Sequence, residues 1–237
     1  MRILYLDLES TPILGYVWRA YEDSLLDIKK DYGLLCFAYA WGDEPVAIVS
    51  LRNNTERQVV KKLWELFNEA DVIVAHNGDK FDIKMSNAMF LRYNLKPPSP
   101  YKTVDTLKLA RRYFKFTKNN LDFLSMSLFG EGKHATDKSL WFKCMAGDVE
   151  AFKQMELYCG NDVSLLRRLH NKIKSWHTGN PNSNLYQGTS HACSACGKRT
   201  QKRGFMYTRV GKYQRHQCTT CGHWDKGEKI KTDKVIS

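Results

Sequence analysis

Several absences narrow the field before any motif is considered. No stretch of the 237 residues approaches the ~20 consecutive apolar positions that span a bilayer. Met1-Arg2 runs directly into a strand that already carries acids, which leaves no hydrophobic region of a secretory leader. The expectation is a soluble, intracellular protein, cytoplasmic in location. Neither an internal repeat nor a heptad array is present, which excludes solenoids and coiled coils. Acidic residues are in short supply: 25 Asp and Glu face 37 Lys and Arg, a formal charge of +12. Of that, +8 lies beyond Gly179, so a polyanionic partner engaged mainly by the C-terminal part is expected. Four metal-bound thiolates would lower the local figure by two and leave it basic. With 43% apolar residues the composition is ordinary for a globular core, and the length allows one medium domain plus something small.

What is present begins with Ile3-Leu4-Tyr5-Leu6-Asp7-Leu8-Glu9. Alternation along a strand puts Ile3, Tyr5, Asp7 and Glu9 on one face and Leu4, Leu6 and Leu8 on the other. A strand apolar on both faces reads as central and buried. One face nevertheless ends in two carboxylates, which repel unless a cation sits between them. A divalent metal resolves the conflict; a strand that emerges into solvent at its end is the plain alternative. After the interruption at Ser10-Thr11-Pro12, the strand formers around Gly33 to Trp41 and Val46 to Leu51, joined by Gly42-Asp43-Glu44-Pro45, read as a hairpin. A helix opens at Thr55 and runs to about Glu69 with Val59, Leu63, Leu66 and Phe67 inward, and a short buried strand follows at Val72 to Ala75. The alternation predicts an α/β sandwich with the hairpin as its antiparallel edge. Further helices are expected from about Lys80 to Tyr93, ended by Pro97, Pro98 and Pro100, then through Leu107, Leu109 and Tyr113, and from Leu121 to Phe129. Gly130 to His134 is a loop, and two helical segments broken near Gly160 are expected between Val149 and Trp176. His177 to Ser190 has the composition of a linker.

The late helix carries an informative stripe. Ala151, Met155, Tyr158, Asp162, Leu165 and Leu169 recur at spacings of three and four and share one inward face. Asp162 is its single charge, with no Lys or Arg beside it, so its carboxylate must be neutralised, paired or bound to metal. A partly exposed acid at a helix break near Gly160 is the other reading. Asp82 lies in the first turn of the helix that follows Asn77-Gly78-Asp79-Lys80-Phe81, where the helix dipole alone favours an acid. It also follows the strand Val72 to Ala75, at the carboxyl end where ligands of α/β sheets bind.

These residues resemble the three motifs of the DnaQ-like 3′-to-5′ exonucleases. Asp7-Leu8-Glu9, Asn77 with Phe81-Asp82, and Tyr158-Cys159-Gly160-Asn161-Asp162 stand in order across residues 1–176. Tyr158, four residues before Asp162, is similar to the DEDDy subclass, since the histidine subclass would need His at position 157, which is Leu. Val104-Asp105-Thr106-Leu107 and Asn120-Leu121 look like the exonuclease domains of family B DNA polymerases. The resemblance implies a ribonuclease H-like fold, a mixed sheet flanked by helices. It also implies that Asp7, Glu9 and Asp162 hold one Mg²⁺ or Mn²⁺, with Asp7 shared to a second ion near Asp82, a pair suited to clamping a scissile phosphate. Tyr158 would orient the attacking water. Asn77, Phe81 and Lys133 are implied substrate contacts, while His134 reads as part of a solvated basic loop.

Of seven cysteines, Cys36, Cys144 and Cys159 are scattered through apolar segments and read as buried hydrophobes. Cys193-Ser-Ala-Cys196 and Cys218-Thr-Thr-Cys221, separated by 21 residues and each followed by Gly, have the spacing of a tetrathiolate zinc site. An intracellular chain disfavours disulfides instead. His191, His216 and His223 flank the pairs, but four cysteines already complete a tetrahedron. The pattern resembles a zinc ribbon, folded by one structural Zn²⁺. Between the pairs, basic residues interleave with Phe205, Tyr207 and Tyr213. They offer phosphate contacts and stacking faces, or alternatively the ribbon's own small core.

The sequence therefore predicts an exonuclease domain over 1–176, a linker over 177–190 and a zinc ribbon with a basic tail over 191–237. The expected activity is a two-metal 3′-to-5′ exonuclease that releases nucleoside monophosphates from single-stranded DNA. An exoribonuclease is the nearest alternative, and an inactive nucleic-acid-binding or assembly protein on a nuclease fold is the alternative of another class. A freestanding monomer without a polymerase module is expected, with a replication or repair protein as its conceivable protein partner.

Overall fold

The structure is a computed structural model that describes residues 1–21, 24–179, 181, 182, 184 and 192–230. Most of the linker reading (residues 180, 183 and 185–190), His191 and the tail 231–237 lie outside the described residues. The chain divides into two compact units, Arg2–Leu169 and Met1 with His170–Ser237.

In the first unit the chain runs β1 (Ile3–Ser10), β2 (Leu14–Tyr16), β3 (Asp27–Lys30), β4 (Leu34–Trp41), β5 (Ala47–Ser50), α1 (Glu56–Glu69), β6 (Val72–Ala75), α2 (Asp82–Arg92), β7 (Lys102–Asp105), α3 (Thr106–Tyr113), α4 (Leu121–Phe129), α5 (Ser139–Met145) and α6 (Val149–Ile173), the last continuing across the boundary between units. The main sheet has the order β5-β4-β1-β6-β7. β1 is antiparallel to β4 and parallel to β6, and β6 is parallel to β7, so the sheet is mixed with the hairpin at one edge. That position explains why β1 is apolar on both faces. Leu4, Leu6 and Leu8 pack with Val59, Leu63 and Phe67 of α1 and with Met89 and Phe90 of α2. Phe67 meets Phe90 edge-on at 5.3 Å. Each leucine taken out of water contributes on the order of 2 kcal/mol. The opposite face of β1 is turned to α6, where the Cys159 thiol lies 3.4 Å from the Asp7 carbonyl oxygen.

Local signals fix the helix ends. Thr55 caps α1 in a capping box with Gln58. Asp105 caps α3, its carboxylate accepting the Leu107 and Lys108 N–H groups. The structure departs from the sequence expectation in five places. α6 is continuous from Val149 to Ile173 and passes into a 3₁₀ turn at Lys174–Trp176, with no break near Gly160. Gly in a helix interior costs ~1 kcal/mol relative to Ala. It is accommodated here because a Cβ at this position would stand 3.1 Å from Ile48 Cδ1, so the glycine lets α6 approach β5 closely. α2 begins at Asp82 rather than about Lys80, because Asn77 takes a left-handed conformation (φ 66°) and a turn intervenes. The strand β7 and the short helix α5 are unannounced by periodicity. So is the β2–β3 hairpin, which carries exposed Leu14, Tyr16 and Ile28.

The second unit holds a three-stranded antiparallel sheet, β10-β9-β8, formed by β8 (Thr200–Thr208), β9 (Gly211–Cys218) and β10 (Trp224–Ile230). Among the described residues no helix is long and apolar enough to cross a membrane.

Candidate active site and thiolate cluster

The carboxyl end of β1 delivers Asp7 and Glu9, the first turn of α2 delivers Asp82, and α6 delivers Tyr158 and Asp162. Carboxylate oxygens of Asp7, Glu9 and Asp162 all lie within 4.8 Å of one another. Asp82 is buried, and its Oδ1 accepts the Leu8 N–H at 3.1 Å, which ties it to the strand between the other two acids. Asp162 is wholly buried; Oδ2 accepts from the Lys133 ammonium at 2.5 Å. The same Lys133 Nζ lies 3.2 Å from the Tyr158 hydroxyl. Lys133 is held in turn through its backbone N–H, which donates to Asp122 Oδ1 at 2.8 Å.

One ammonium among four acids, Asp82 and Asp162 buried and Asp7 and Glu9 half-buried, leaves the cluster short of positive charge. Burial and then repulsion from Asp82, Asp162 and Glu9 hold the Asp7 carboxyl well above the usual range. Burial pushes Glu9 up to about 7, with Asp162 adding to the shift while Lys133 and the Trp141 N–H oppose it. Asp82 is raised to about 7, again chiefly by burial, against the hydrogen bonds it accepts from its own and the Leu8 N–H. Asp162 is raised by burial despite Lys133. Burial works against the charge on Lys133, but Asp162 and Asp7 outweigh it and its pKa is raised. Tyr158 is pushed up to about 12, mainly by burial, so its hydroxyl keeps its proton at neutral pH.

The donor set fits a hard divalent cation. It consists of oxygens only, from three carboxylates in mutual reach, and Asp162 Oδ1 is buried without a hydrogen-bond partner among the described residues. Of the implied substrate residues, Lys133 reaches the cluster directly. Asn77 donates its N–H to Asp105 Oδ1 at 2.9 Å, so the α3 cap also fixes the loop that leads to Asp82. Phe81 precedes Asp82 and is exposed. His134 lines a cavity of about 240 Å³ with Tyr158, Lys143 and Gln154. A second cavity, about 340 Å³, is walled by Ser10, Thr11, Pro12, Lys138, Trp141 and Phe142 beside Glu9.

Three contributors escaped sequence reasoning. Trp141 on α5 donates its indole N–H to Glu9 Oε2 at 3.2 Å and stands edge-on to Tyr158 at 6.0 Å. Cys159, read as a buried hydrophobe, is buried but also lies 3.7 Å from Asp7 Oδ2. His76 is engaged at both ring nitrogens, by Thr106 Oγ1 and the Asn119 carbonyl, each at 2.9 Å. Burial lowers it to about 4, so it stays neutral and serves as a strut.

In the second unit Cys193, Cys196, Cys218 and Cys221 converge within 4.8 Å. The Sγ atoms of Cys193 and Cys221 are 3.7 Å apart and those of Cys196 and Cys218 are 3.5 Å apart. A tetrahedron with Zn–S bonds of ~2.3 Å has edges of about 3.8 Å, so the thiols are spaced for zinc. Gly197 and Gly222 adopt φ of 70° and 75°, the left-handed turn that each Cys-x-x-Cys-Gly knuckle requires. Thr220 and Cys221 direct their N–H groups at Cys218 Sγ, both at 3.4 Å. Against burial, these bonds bring Cys218 down to about 7. His223 is not in the cluster; its Nδ1 meets the Ser175 carbonyl at 2.7 Å.

Comparison with known proteins agrees with the fold. Residues 50–136 match the family model RNase_T, described as Exonuclease. The match spans Asn77, Phe81, Asp82 and Lys133, while Asp7, Glu9, Tyr158 and Asp162 lie outside it. Mixed sheet and flanking helices agree with a ribonuclease H-like fold, the family match over residues 50–136 supports a nuclease function, and the C-terminal cysteine cluster fits a zinc ribbon. Among solved structures, the family B DNA polymerase from the hyperthermophilic archaeon Pyrobaculum calidifontis is similar over 74% of this chain, with a TM-score of 0.58 and 14% identity. The similarity covers 25% of that polymerase chain. No curated protein matches the sequence.

Proposed function

We propose that this chain is a 3′-to-5′ exonuclease of the DEDDy type, acting on single-stranded DNA with two Mg²⁺ or Mn²⁺ ions. Residues 1–176 are the catalytic domain, 177–190 the linker, and 191–237 a zinc ribbon that helps hold the strand. The observation that carries the reading is the convergence of Asp7, Glu9 and Asp162 within 4.8 Å, with Asp82 tied to the same strand and one buried carboxylate oxygen unpartnered. Structural role alone does not explain such a cluster, since unpaired buried charge is strongly unfavourable.

Asp7, Glu9 and Asp162 would hold one ion, and Asp7 with Asp82 the second. Bound there, the ions supply Lewis-acid charge to phosphoryl oxygens and lower the pKa of water. The chain's own residues do the rest. Tyr158, protonated at neutral pH, positions the attacking water. Lys133 carries its charge beside Asp162 and Tyr158 and is placed to meet a phosphate oxygen. Trp141 keeps Glu9 oriented through its N–H. Asn77 and Phe81 contact the terminal nucleotide, the exposed ring of Phe81 offering a stacking face. Attack on phosphorus breaks its bond to the 3′ oxygen, which releases a nucleoside 5′-monophosphate and leaves a 3′-hydroxyl for the next round.

The test is digestion of 5′-labelled single-stranded DNA with Mg²⁺, with RNA in parallel. A ladder shortening from the 3′ end is expected for DNA. Asp7→Ala and Asp162→Ala should abolish nucleotide release while leaving binding measurable. Undiminished release by either variant would remove the mechanism, and faster shortening of RNA would transfer the assignment to an exoribonuclease.

A further inference from the structure

We infer that nucleic acid is held on one face of the ribbon sheet, the face bearing Tyr213, Arg215, Trp224, Lys226 and Lys229. This deepens the reading that the ribbon binds the substrate strand. The sequence interleaves aromatic and basic residues without saying which share a surface. Register decides it, because residues paired across strands lie on the same face and neighbours alternate. On β9, Tyr213, Arg215 and Gln217 form one face. Across from them stand Met206 and Gln201 on β8, and Lys229, Lys226 and Trp224 on β10. The other face carries Lys212, Gln214 and His216, paired with Tyr207, Phe205 and Lys202 on β8, and with Ile230 and Asp225 on β10. Phe205 and Tyr207 are therefore on the opposite side from Tyr213, and a single platform of all three does not exist.

The two faces differ in charge rather than in exposure, since Tyr207 and Phe205 of the second are exposed as Trp224 of the first is. Asp225 accepts from the Ser194 hydroxyl and from its N–H at 3.1 Å, so the Asp225 end of the second face is engaged by the unit's own first knuckle. His223, at the start of β10, is likewise engaged by the Ser175 carbonyl. The first face concentrates charge: Arg215, Lys226 and Lys229 occupy paired positions. No acid stands at a paired position of that face among the described residues. Its rings and cations are already associated. Lys226 Nζ lies 3.6 Å from the Tyr213 ring centre, and the Arg215 guanidinium 4.9 Å from that of Trp224. Alternating rings and cations at strand spacing match a single strand, whose bases stack on aromatic faces while its phosphates meet the cations. The bulges in β8 and β10 twist the ribbon and bend this face further.

The test uses the full chain and a 5′-fluorescein oligothymidylate, with Ca²⁺ replacing Mg²⁺ to hold back cleavage. Fluorescence anisotropy is measured across a salt series. Arg215→Glu with Lys226→Glu should weaken binding at low salt at least ~10-fold and flatten the log–log salt slope by about 1.4, at ~0.7 per phosphate contact on a single strand. Lys202→Glu with Lys212→Glu, on the other face, should change affinity by no more than about 2-fold and leave the slope intact. Zinc content of one per chain certifies each ribbon as folded, and Arg215→Gln with Lys226→Gln repeats the experiment without charge reversal. Equal losses from both faces, or none from the first, would overturn the assignment; so would tighter binding of a duplex than of the single strand. Hydrolysis of a thymidine 5′-nitrophenyl phosphate by the unmodified chain is a separate arm. Its absence would remove the nuclease reading and leave the ribbon result standing.

Discussion

Asp82→Asn should stabilise the metal-free protein while destroying its activity. Asp82 is buried at the start of α2 and its carboxyl is raised to about 7, mainly by burial. In the unfolded chain an aspartate titrates near ~3.9. A raised folded-state pKa means that the native protein keeps a proton that the unfolded chain has released. The contribution of this group to stability is therefore full below about pH 4, falls as the pH rises, and has been lost once the pH passes about 7. A gap of about three units at about 1.4 kcal/mol each is worth about 4 kcal/mol. Asparagine has nearly the same shape, and its Oδ1 still accepts the Leu8 N–H, but it carries no charge to desolvate. In EDTA at pH 8 the variant should gain about 2–4 kcal/mol, a rise in melting temperature of roughly 4–16 °C. At pH 4 the two proteins should melt together. With Mn²⁺ the advantage should shrink or reverse, because the wild-type carboxylate then has a ligand to hold. Circular dichroism melts at pH 4, 6 and 8 with and without Mn²⁺ provide the measurement. A gain of equal size at pH 4 and pH 8 would refute the electrostatic argument, and a loss at pH 8 would show that Asp82 supports the fold rather than straining it.

Two further outcomes test the supporting structure. Gly160→Val should destabilise the first unit by about 1–3 kcal/mol, since its Cβ would press on Ile48 Cδ1 and its γ-carbons have no room; urea titration measures this, and a neutral result would mean that α6 and β5 are not closely packed. Cys218→Ser, or removal of zinc by a chelator, should unfold the three-stranded sheet but leave the first unit's melting transition in place; loss of both transitions together would show that the fold of one unit depends on the other.

The sequence makes the acids legible for a simple reason. Asp7 and Glu9 end an otherwise apolar strand, and Asp162 interrupts an apolar helical stripe, so each violates a pattern strong enough to make the violation visible. The cysteine pairs are legible through spacing alone. What the sequence hides depends on distance along the chain or on short elements. Lys133 shares no stripe with Asp162 and reaches it from a loop 29 residues away. Trp141 belongs to a helix of seven residues, too short for periodicity to announce. Gly160 reads as a breaker because helix propensity is local, whereas the contact that accounts for it comes from β5. The two faces of the ribbon are hidden for a different reason: bulges in β8 and β10 shift the alternation, so counting by twos along the sequence gives the wrong partners.

The site and the fold pull in opposite directions, and the way they do so indicates what the site is for. The Leu4, Leu6 and Leu8 side of β1 satisfies every local rule, with apolar side chains packed against two amphipathic helices. The other side places Asp7, Glu9, Asp82 and Asp162 where burial raises all four and repulsion from neighbouring acids adds to it at Asp7, Glu9 and Asp82. Lys133 is too little charge to neutralise them, and Asp162 Oδ1 has no partner at all among the described residues. A fold that needed only stability would replace such acids, since apolar residues of similar volume are often neutral or better in a buried ionic site. Conflict confined to one end of one strand, beside a well-packed core, is the expected signature of a functional centre. The conflict also has a chemical sign. Excess negative charge on hard oxygens repels a nucleic acid phosphate unless divalent cations intervene, so the same cluster that strains the metal-free protein makes phosphate binding conditional on metal.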